Sequence, residues 1–323
     1  MGPGPHLIKF VLSASVNWVR TPDLLQLFGY VNHAKCPLCA EPLCSLHHIL
    51  ANCKTALHGK RYTWRHDSVL GCLENHLRPH VESFNENLKH TKLALHISKS
   101  FHRKGEGKAR RATRPPTSML TGATDWRIQV EYDDALTPFP AEIYSTSQRP
   151  DIVIWSVALK RVLIIELTCP AEEGIEAAQI RKEGRYAGLV VDCRDSSWSP
   201  SLFTIEIGAR GFVCRSLHRC LSALGVTSKT KKALCKTVSL IAAKCSLTIF
   251  QSHTSHVWDK NRVRLSADLW QPRPPLHSIR LITNAPTPDG ETHGVDLANA
   301  GRISEDEEDV QEESEDEKSE RGH

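Results

Sequence analysis

The stretch RPDIVIWSVALKRVLIIELT, residues 149–168, contains two apolar runs joined by a short polar connection. The first run ends at Trp155 and the second begins at Val162. Both runs are rich in β-branched residues, which predicts two strands of one sheet. Glu166 lies in the second run where strand alternation predicts packing, and a buried carboxylate without a partner costs several kcal/mol. The pattern therefore predicts a specific role for Glu166.

The connection over residues 156–161 indicates how the two strands pair. If the chain turns symmetrically about Ala158 and Leu159, Asp151 lies directly opposite Glu166. Directly opposed residues have Cβ atoms about 4.5–5.5 Å apart, so the two carboxylates could share a hard cation such as Mg²⁺ or Mn²⁺. A water bound to such an ion could attack a phosphodiester. The pair therefore predicts hydrolytic chemistry.

A helix is predicted from about residue 171 to residue 190. Within it, Arg185 and Tyr186 follow Lys182 by three and four residues, so all three side chains project from one face of the helix. Lys182 could orient the attacking water or stabilise charge in the transition state. The alternative is an ordinary amphipathic helix that covers a sheet and has solvated basic residues.

Further elements predict an α/β protein. Strands are expected at residues 126–132 and 202–207, and helices at residues 213–224 and 229–250. Residues 7–32 predict a helix and a turn. An amphipathic stripe runs from Val69 to Leu88, and Pro79 is expected to kink or split that helix.

A cluster of cysteine and histidine precedes these elements. Cys36, Cys39, His48 and Cys53 have the spacing C-x2-C-x8-H-x4-C, which favours a structural Zn²⁺ site with four protein ligands. His47 and Cys44 remain alternatives for the third ligand. A cysteine loop without metal is the other interpretation.

The charge is unevenly distributed along the 323 residues. The net charge is +4, but eleven acidic residues lie between Glu305 and Glu320, so the chain without residues 305–323 carries about +13. Residues 99–114 contain seven basic residues. We therefore expect a basic linker at residues 99–120, a mostly disordered, acidic tail at 251–323, and a body suited to a polyanion. The other predicted units are a helical lead-in with the zinc cluster (1–60), a helical segment (61–98) and the α/β domain (121–250).

Eleven cysteines, an odd number without a disulfide framework, indicate a reducing compartment. No apolar run approaches the roughly 18 residues of a membrane span. We therefore expect no membrane partner, and nothing in the pattern indicates a small-molecule substrate.

Together these motifs resemble the C-terminal region of non-LTR retrotransposon polyproteins. The Cys36–Cys53 cluster followed by RYTWRHDSVL (61–70) resembles their zinc knuckle and the segment after it. FPAEI (139–143), RPD (149–151), IIELT (164–168), Arg181-Lys182 and IGARGF (207–212) resemble their restriction-like endonuclease, which has a PD-(D/E)XK core. Cys36 comes too early for a polymerase domain to precede it, so we expect an endonuclease without a reverse transcriptase.

The resemblance implies DNA nicking that depends on Mg²⁺ or Mn²⁺. It assigns Asp151 and Glu166 as metal ligands and Lys182 as the catalytic lysine, because Thr168 stands where other PD-(D/E)XK enzymes have theirs. Arg185 replaces the second lysine of the family's RK-x-x-KY motif, and the knuckle loop is one residue longer than usual. The implied supporting residues are Glu142, Arg149, Arg185 and Tyr186.

We therefore expect a nuclear DNA endonuclease, with RNA as a further ligand and the cytoplasm as the alternative location. The competing hypothesis is a catalytically inactive, zinc-containing remnant that only binds nucleic acid.

Overall fold

A four-stranded mixed sheet forms the centre of the protein. The computed structural model describes residues 4–95, 118–132 and 136–259, so most of the predicted basic linker and the acidic tail from residue 260 onward lie outside the described residues. The strands are β1 (Arg127–Val130), β2 (Ile152–Ser156), β3 (Arg161–Thr168) and β4 (Ser199–Glu206), in spatial order β1-β2-β3-β4. The first two pairings are antiparallel and β3 pairs with β4 in parallel.

The parallel pairing requires a crossover, since parallel neighbours cannot be joined by a tight turn. A 3₁₀ turn (Glu172–Gly174) and helix α5 (Ile175–Asp195) supply it. α5 begins and ends a few residues later than predicted.

The other helices are α1 (Pro5–Ser15), α2 (Pro22–Leu27), α3 (Lys54–His58), α4 (Arg61–Leu95), α6 (Arg215–Ala223) and α7 (Ser228–Gln251). A π-helical turn, His48–Asn52, precedes α3. Of the two outcomes expected at Pro79, a kink or a split, the split does not occur, because α4 continues through the proline. Leu77 and Val81 on either side of the proline are both buried, so packing holds both turns in place although proline disfavours the helix interior.

The register of β2 and β3 confirms the predicted symmetric turn. Ile152 pairs with Ile165, and Ser156 pairs with Arg161. Continued by one residue, this register sets Asp151 against Glu166. The mixed α/β class predicted from the sequence is therefore present, with the pairing that the connection implied.

The two faces of the sheet pack against different helices. Val153, Trp155, Val162 and Ile164 form one core with Tyr186 and Leu189 of α5. The alternate residues of the two strands face a second core, which also contains parts of α4 and α7. These strand residues are Ile152, Ile154, Leu163 and Ile165. This alternation follows from the two-residue period of a strand. Glu166 is two residues beyond Ile164, so it projects from the same face of the strand as Val162 and Ile164, towards α5.

The second core extends beyond the predicted domain boundaries. It includes Phe10 of α1, Cys36 and Cys53 of the cysteine cluster, Leu70 of α4 and Ile249 of α7. Residues 252–259, assigned from the sequence to the tail, contact α4: the Arg61 guanidinium donates to the carbonyls of Ser252 (2.8 Å) and Ser255 (2.6 Å).

Among the described residues, α7 alone is long and apolar enough to cross a membrane by length and composition. Half of its most apolar window is buried in this fold. Its residues Val238, Ile241 and Cys245 belong to the second core. Packing against the rest of the protein therefore accounts for the buried half of this apolar window.

Candidate functional site

An open cleft of about 470 Å³ lies where β3 ends. The start of β2, the end of β3, the first turns of α4 and one face of α5 contribute to its walls. Six of the predicted site residues line it, namely Arg149, Asp151, Glu166, Lys182, Arg185 and Tyr186. The fold thus brings together residues that are distant in sequence.

Asp151 and Glu166 are linked to each other through the backbone. The amide of Asp151 donates to Glu166 Oε2 (3.2 Å), and the amide of Leu167 donates to Asp151 Oδ2 (2.6 Å). Each bond runs from a main-chain amide of one segment to a side-chain carboxylate of the other. Both carboxylates are therefore held at the floor of the cleft by main-chain donors.

Glu166 is the more buried of the two, with 2% of its side chain exposed. Burial raises the pKa of its carboxyl group, and the neighbouring Asp151 raises it further, while Lys182 opposes both. Lys182 Nζ forms an ion pair and hydrogen bond with Glu166 Oε1, and 19% of the lysine side chain is exposed. The lysine thus offsets part of the cost of a buried carboxylate.

His66 of α4 is a cleft residue that the sequence analysis did not select. Its Nε2 lies 3.3 Å from Asp151 Oδ2 and 3.3 Å from the carbonyl oxygen of Leu167, and its Nδ1 lies 3.1 Å from Asp67 Oδ1. Burial alone would lower the pKa of His66, but the charge of Asp151 and the hydrogen bonds to Asp151 and Asp67 raise it well above its ordinary value. Both ring nitrogens face acceptors, which favours the doubly protonated imidazolium. The sequence signal for His66 was the RHD of residues 65–67, which lies in the segment that resembles the one after the retrotransposon zinc knuckle.

Glu131 is a second residue that sequence reasoning missed. It lies just after β1, lines the cleft, and accepts hydrogen bonds from the amide of Thr137 (2.8 Å) and from Arg149 (3.3 Å). Its position beside Asp151 arises because its own amide donates to the Asp151 carbonyl (2.8 Å). The segment around it has no distinctive spacing from which this could have been predicted.

The remaining predicted residues have different surroundings. Tyr186 is buried, donates to the carbonyl of Arg149 (3.2 Å), and has its pKa raised by burial and by the charges of Glu166 and Asp151. Arg185 is exposed at the cleft. Glu142 is not among the residues that line the cleft; it accepts hydrogen bonds from Trp155 Nε1 and Arg127 (2.8 Å), near the opposite end of β2.

The cysteine cluster forms a separate, closed site. One ligand atom from each of Cys36, Cys39, His48 and Cys53 lies within 4.8 Å of the others, close enough to hold a metal ion. Cys36 Sγ and Cys53 Sγ are 3.9 Å apart, and Cys39 Sγ is 3.3 Å from His48 Nε2. The distance between the two sulfurs far exceeds the length of a disulfide bond, about 2.05 Å.

The two alternatives for the third ligand have other positions. His47 is directed towards Glu173, with Nδ1 3.7 Å from the carboxylate. Cys44 is buried next to Cys36, and burial raises the pKa of its thiol. Of the residues considered, His48 is the one that joins the three cysteines in a mutually close set.

The first turns of α4 connect this cluster with the cleft. Tyr62 accepts a hydrogen bond from the amide of Cys53 (3.0 Å) and contacts the carbonyl of Ile49 (3.0 Å). The buried guanidinium of Arg65 donates to the carbonyls of Leu50 (3.0 Å) and Cys169 (2.8 Å). Cys169 lines the cleft immediately after β3, so one short segment contacts both sites.

Neither a scan against protein-family models nor a search of curated proteins finds a match to this chain.

Proposed function

We propose that the protein is a metal-dependent DNA endonuclease whose active site is the cleft at the end of β3. The observation that carries this proposal is the set of Asp151, Glu166 and Lys182, which lie together on an antiparallel pair and the crossing helix. A carboxylate pair with a lysine and an adjoining exposed arginine is suited to phosphodiester hydrolysis. We further propose that the sheet and its helices are a PD-(D/E)XK core, derived from a retrotransposon and acting on DNA, or RNA, in the nucleus.

The oxygen atoms at the cleft floor fit a hard divalent cation. Asp151, Glu166 and the carbonyl of Leu167 offer carboxylate and carbonyl oxygens, the ligands that Mg²⁺ and Mn²⁺ prefer. When bound, such an ion would supply an activated water and stabilise charge on the scissile phosphate. Both hydrogen bonds that the Asp151 carboxylate accepts within the described residues go to Oδ2, which leaves Oδ1 for a ligand.

The residues of the chain have complementary parts in this proposal. Lys182 favours the ionised form of Glu166 and presents a positive charge next to the reacting phosphate. Arg181 and Arg185 are exposed at the cleft, where they can bind phosphates of the nucleic-acid backbone. Tyr186 anchors the chain before Asp151 through the Arg149 carbonyl, and its buried side chain lies close enough to Glu166 for that charge to raise the pKa of the Tyr186 hydroxyl.

We also propose that the cysteine cluster holds a structural Zn²⁺. With Zn–S near 2.3 Å and Zn–N near 2.0–2.1 Å, tetrahedral geometry requires about 3.8 Å between two sulfurs and about 3.5 Å between sulfur and nitrogen. The observed separations of 3.9 Å and 3.3 Å are close to these values. Four protein ligands leave no open coordination position, so this metal would stabilise the fold and not react. Zinc content of the purified protein measures it directly.

The nuclease is tested by incubating supercoiled plasmid with the zinc-loaded protein and Mg²⁺ or Mn²⁺. We expect nicking by the wild type and a loss of at least about 100-fold in Asp151→Ala, since a metal ligand is removed. Glu82→Gln is the matched control, because its exposed carboxylate on α4 is not among the residues that line the cleft, and it should nick like wild type. Equal nicking by wild type and Asp151→Ala would exclude this active site.

One observation favours a second function, nucleic-acid binding without catalysis. His66 and Lys182 already neutralise the two carboxylates inside the protein. In that case the protein would bind DNA or RNA with strong salt dependence, Asp151→Ala would bind equally well, and no nicking would occur with either metal.

A further inference from the structure

The His66 ring contacts both the Asp151 carboxylate and the Leu167 carbonyl in the cleft. Its Nε2 faces only acceptors, the Oδ2 of Asp151 and the carbonyl of Leu167, each at 3.3 Å. This nitrogen therefore carries hydrogen and donates. His66 is the only described side chain with a hydrogen bond to the Asp151 carboxylate; the other donor is the amide of Leu167.

The hydrogen bonds to Asp151 select one orientation of its carboxylate. Oδ2 accepts from the Leu167 amide (2.6 Å) and from His66, so rotation of the carboxylate would break both bonds. Within the described residues, neither of these hydrogen bonds uses Oδ1. A carboxylate that is to bind a metal through one oxygen is commonly held in this way by donors to the other.

The helix segment that carries His66 is closely packed. Asp67 contacts its Nδ1 at 3.1 Å. The flanking residues Arg65, Ser68 and Val69 are buried in the described structure, and Arg65 is anchored to Leu50 and Cys169 by hydrogen bonds. A site residue placed on a helix that is fixed on both sides of it holds its partner more precisely than one on a loop.

We propose that His66, held by Asp67, is a positioning residue that orients Asp151 so that Oδ1 is presented to the catalytic cation. The proposal rests on the proposed nuclease function, because it assigns the purpose of the orientation. It predicts that the His66 side chain affects metal affinity through its hydrogen bond to Asp151 and not through general stability.

The test uses the zinc-loaded full chain and two readouts, Mn²⁺ binding by calorimetry and the Mn²⁺ concentration that gives half-maximal nicking. His66→Phe retains a ring but removes the donor, and we expect both values to rise by about 10- to 100-fold, as for other partners of metal ligands. His66→Gln keeps a donor at a similar distance from the backbone and should restore at least half of the lost affinity on a logarithmic scale. His76→Phe is the matched control, since His76 is exposed on the same helix and outside the cleft.

Three outcomes would overturn the proposal. His66→Phe could bind Mn²⁺ as tightly as wild type, His66→Gln could lose as much affinity as His66→Phe, or His76→Phe could produce the same loss. If wild type does not nick more than Asp151→Ala, the proposed nuclease fails, and comparison of Mn²⁺ binding by wild type, Asp151→Ala and His66→Phe still decides the role of His66. If nicking is present and His66→Phe is unchanged in both readouts, the inference about His66 alone fails.

Discussion

At the scale of single residues, the chemistry of the cleft depends on how Glu166 is neutralised. Its carboxylate is almost fully buried and lies beside a second carboxylate, so burial and Asp151 both raise its pKa. Lys182 opposes them by a direct ion pair. This arrangement lowers the stability of the fold and is typical of functional sites, where groups with perturbed pKa values concentrate.

Replacing Lys182 with Met removes this positive charge and retains most of the aliphatic side chain. We expect plasmid nicking to fall by about 100-fold or more, the size of effect seen when one transition-state donor is removed. Initial nicking rates at saturating Mn²⁺ measure it. Lys236→Met, which changes an exposed lysine of α7, is the control and should leave the rate unchanged. A Lys182→Met protein that is folded and fully active would refute the catalytic role of Lys182.

At the scale of elements, the β2–β3 turn determines which residues face each other. Asp125, which precedes β1, accepts hydrogen bonds from the hydroxyl of Ser156 (2.5 Å) and from the amide of Ala158 (2.9 Å). Leu159 in turn donates from its amide to Ser156 (3.2 Å). A slip of one residue would place Glu166 on the other face of the sheet. The bonds to Asp125 therefore support the register on which the acidic pair depends.

Asp125→Asn tests this with a defined pH dependence. Partial burial alone would raise the pKa of Asp125, but the hydrogen bonds from Ser156 and Ala158 outweigh it and hold the pKa below the ordinary value of 3.8. The stabilisation is therefore fully present above that value and is lost as the pH falls through the lower pKa of the folded state. We expect Asp125→Asn to lower the free energy of unfolding by about 1 kcal/mol at pH 7, with the difference shrinking below about pH 4.

Chemical denaturation between pH 3 and pH 7 measures this difference. Glu82→Gln, which neutralises an exposed carboxylate of α4, serves as control and should have little effect at any pH. A destabilisation by Asp125→Asn that is equally large at acidic pH would show that the ionised carboxylate is not the cause.

At the scale of the whole molecule, the cysteine cluster and the cleft belong to one packed unit. Cys36 and Cys53 share a hydrophobic core with α4, α7 and one face of the sheet. The Arg65 guanidinium joins the loop of His48 to the end of β3 through Leu50 and Cys169. We therefore expect that loss of a metal from the cluster would destabilise the cleft as well as the cluster itself.

Cys36→Ser tests this coupling. We expect zinc content to fall from about one per chain to near zero, because a thiolate ligand is lost, and the free energy of unfolding to fall by several kcal/mol. Zinc analysis and thermal unfolding measure the two effects. Cys44→Ala and His47→Ala should keep one zinc per chain, since neither side chain belongs to the set of four. Loss of zinc in either control would assign the third ligand differently.

Much of the fold could be predicted from local patterns. The apolar runs at residues 152–156 and 161–168, their symmetric connection and the helix containing Lys182 all appear where the sequence indicates them. Strand and helix periodicity and turn length are local properties, so they can be read without knowing the fold. Helix ends were less accurate, and α4 continued through Pro79 because of its packing.

The sequence by itself determined the mixed α/β class, the register that faces Asp151 with Glu166, and a set of cysteine and histidine spacings compatible with a metal. Only the tertiary structure separated His47 and Cys44 from the set of four that contains the expected His48, separated Glu142 from the cleft, and brought His66 and Glu131 to it. These decisions depend on contacts between segments tens to more than a hundred residues apart, such as Arg65 with Cys169. Local spacing carries no information about such contacts, because the packing of whole elements determines which side chains meet.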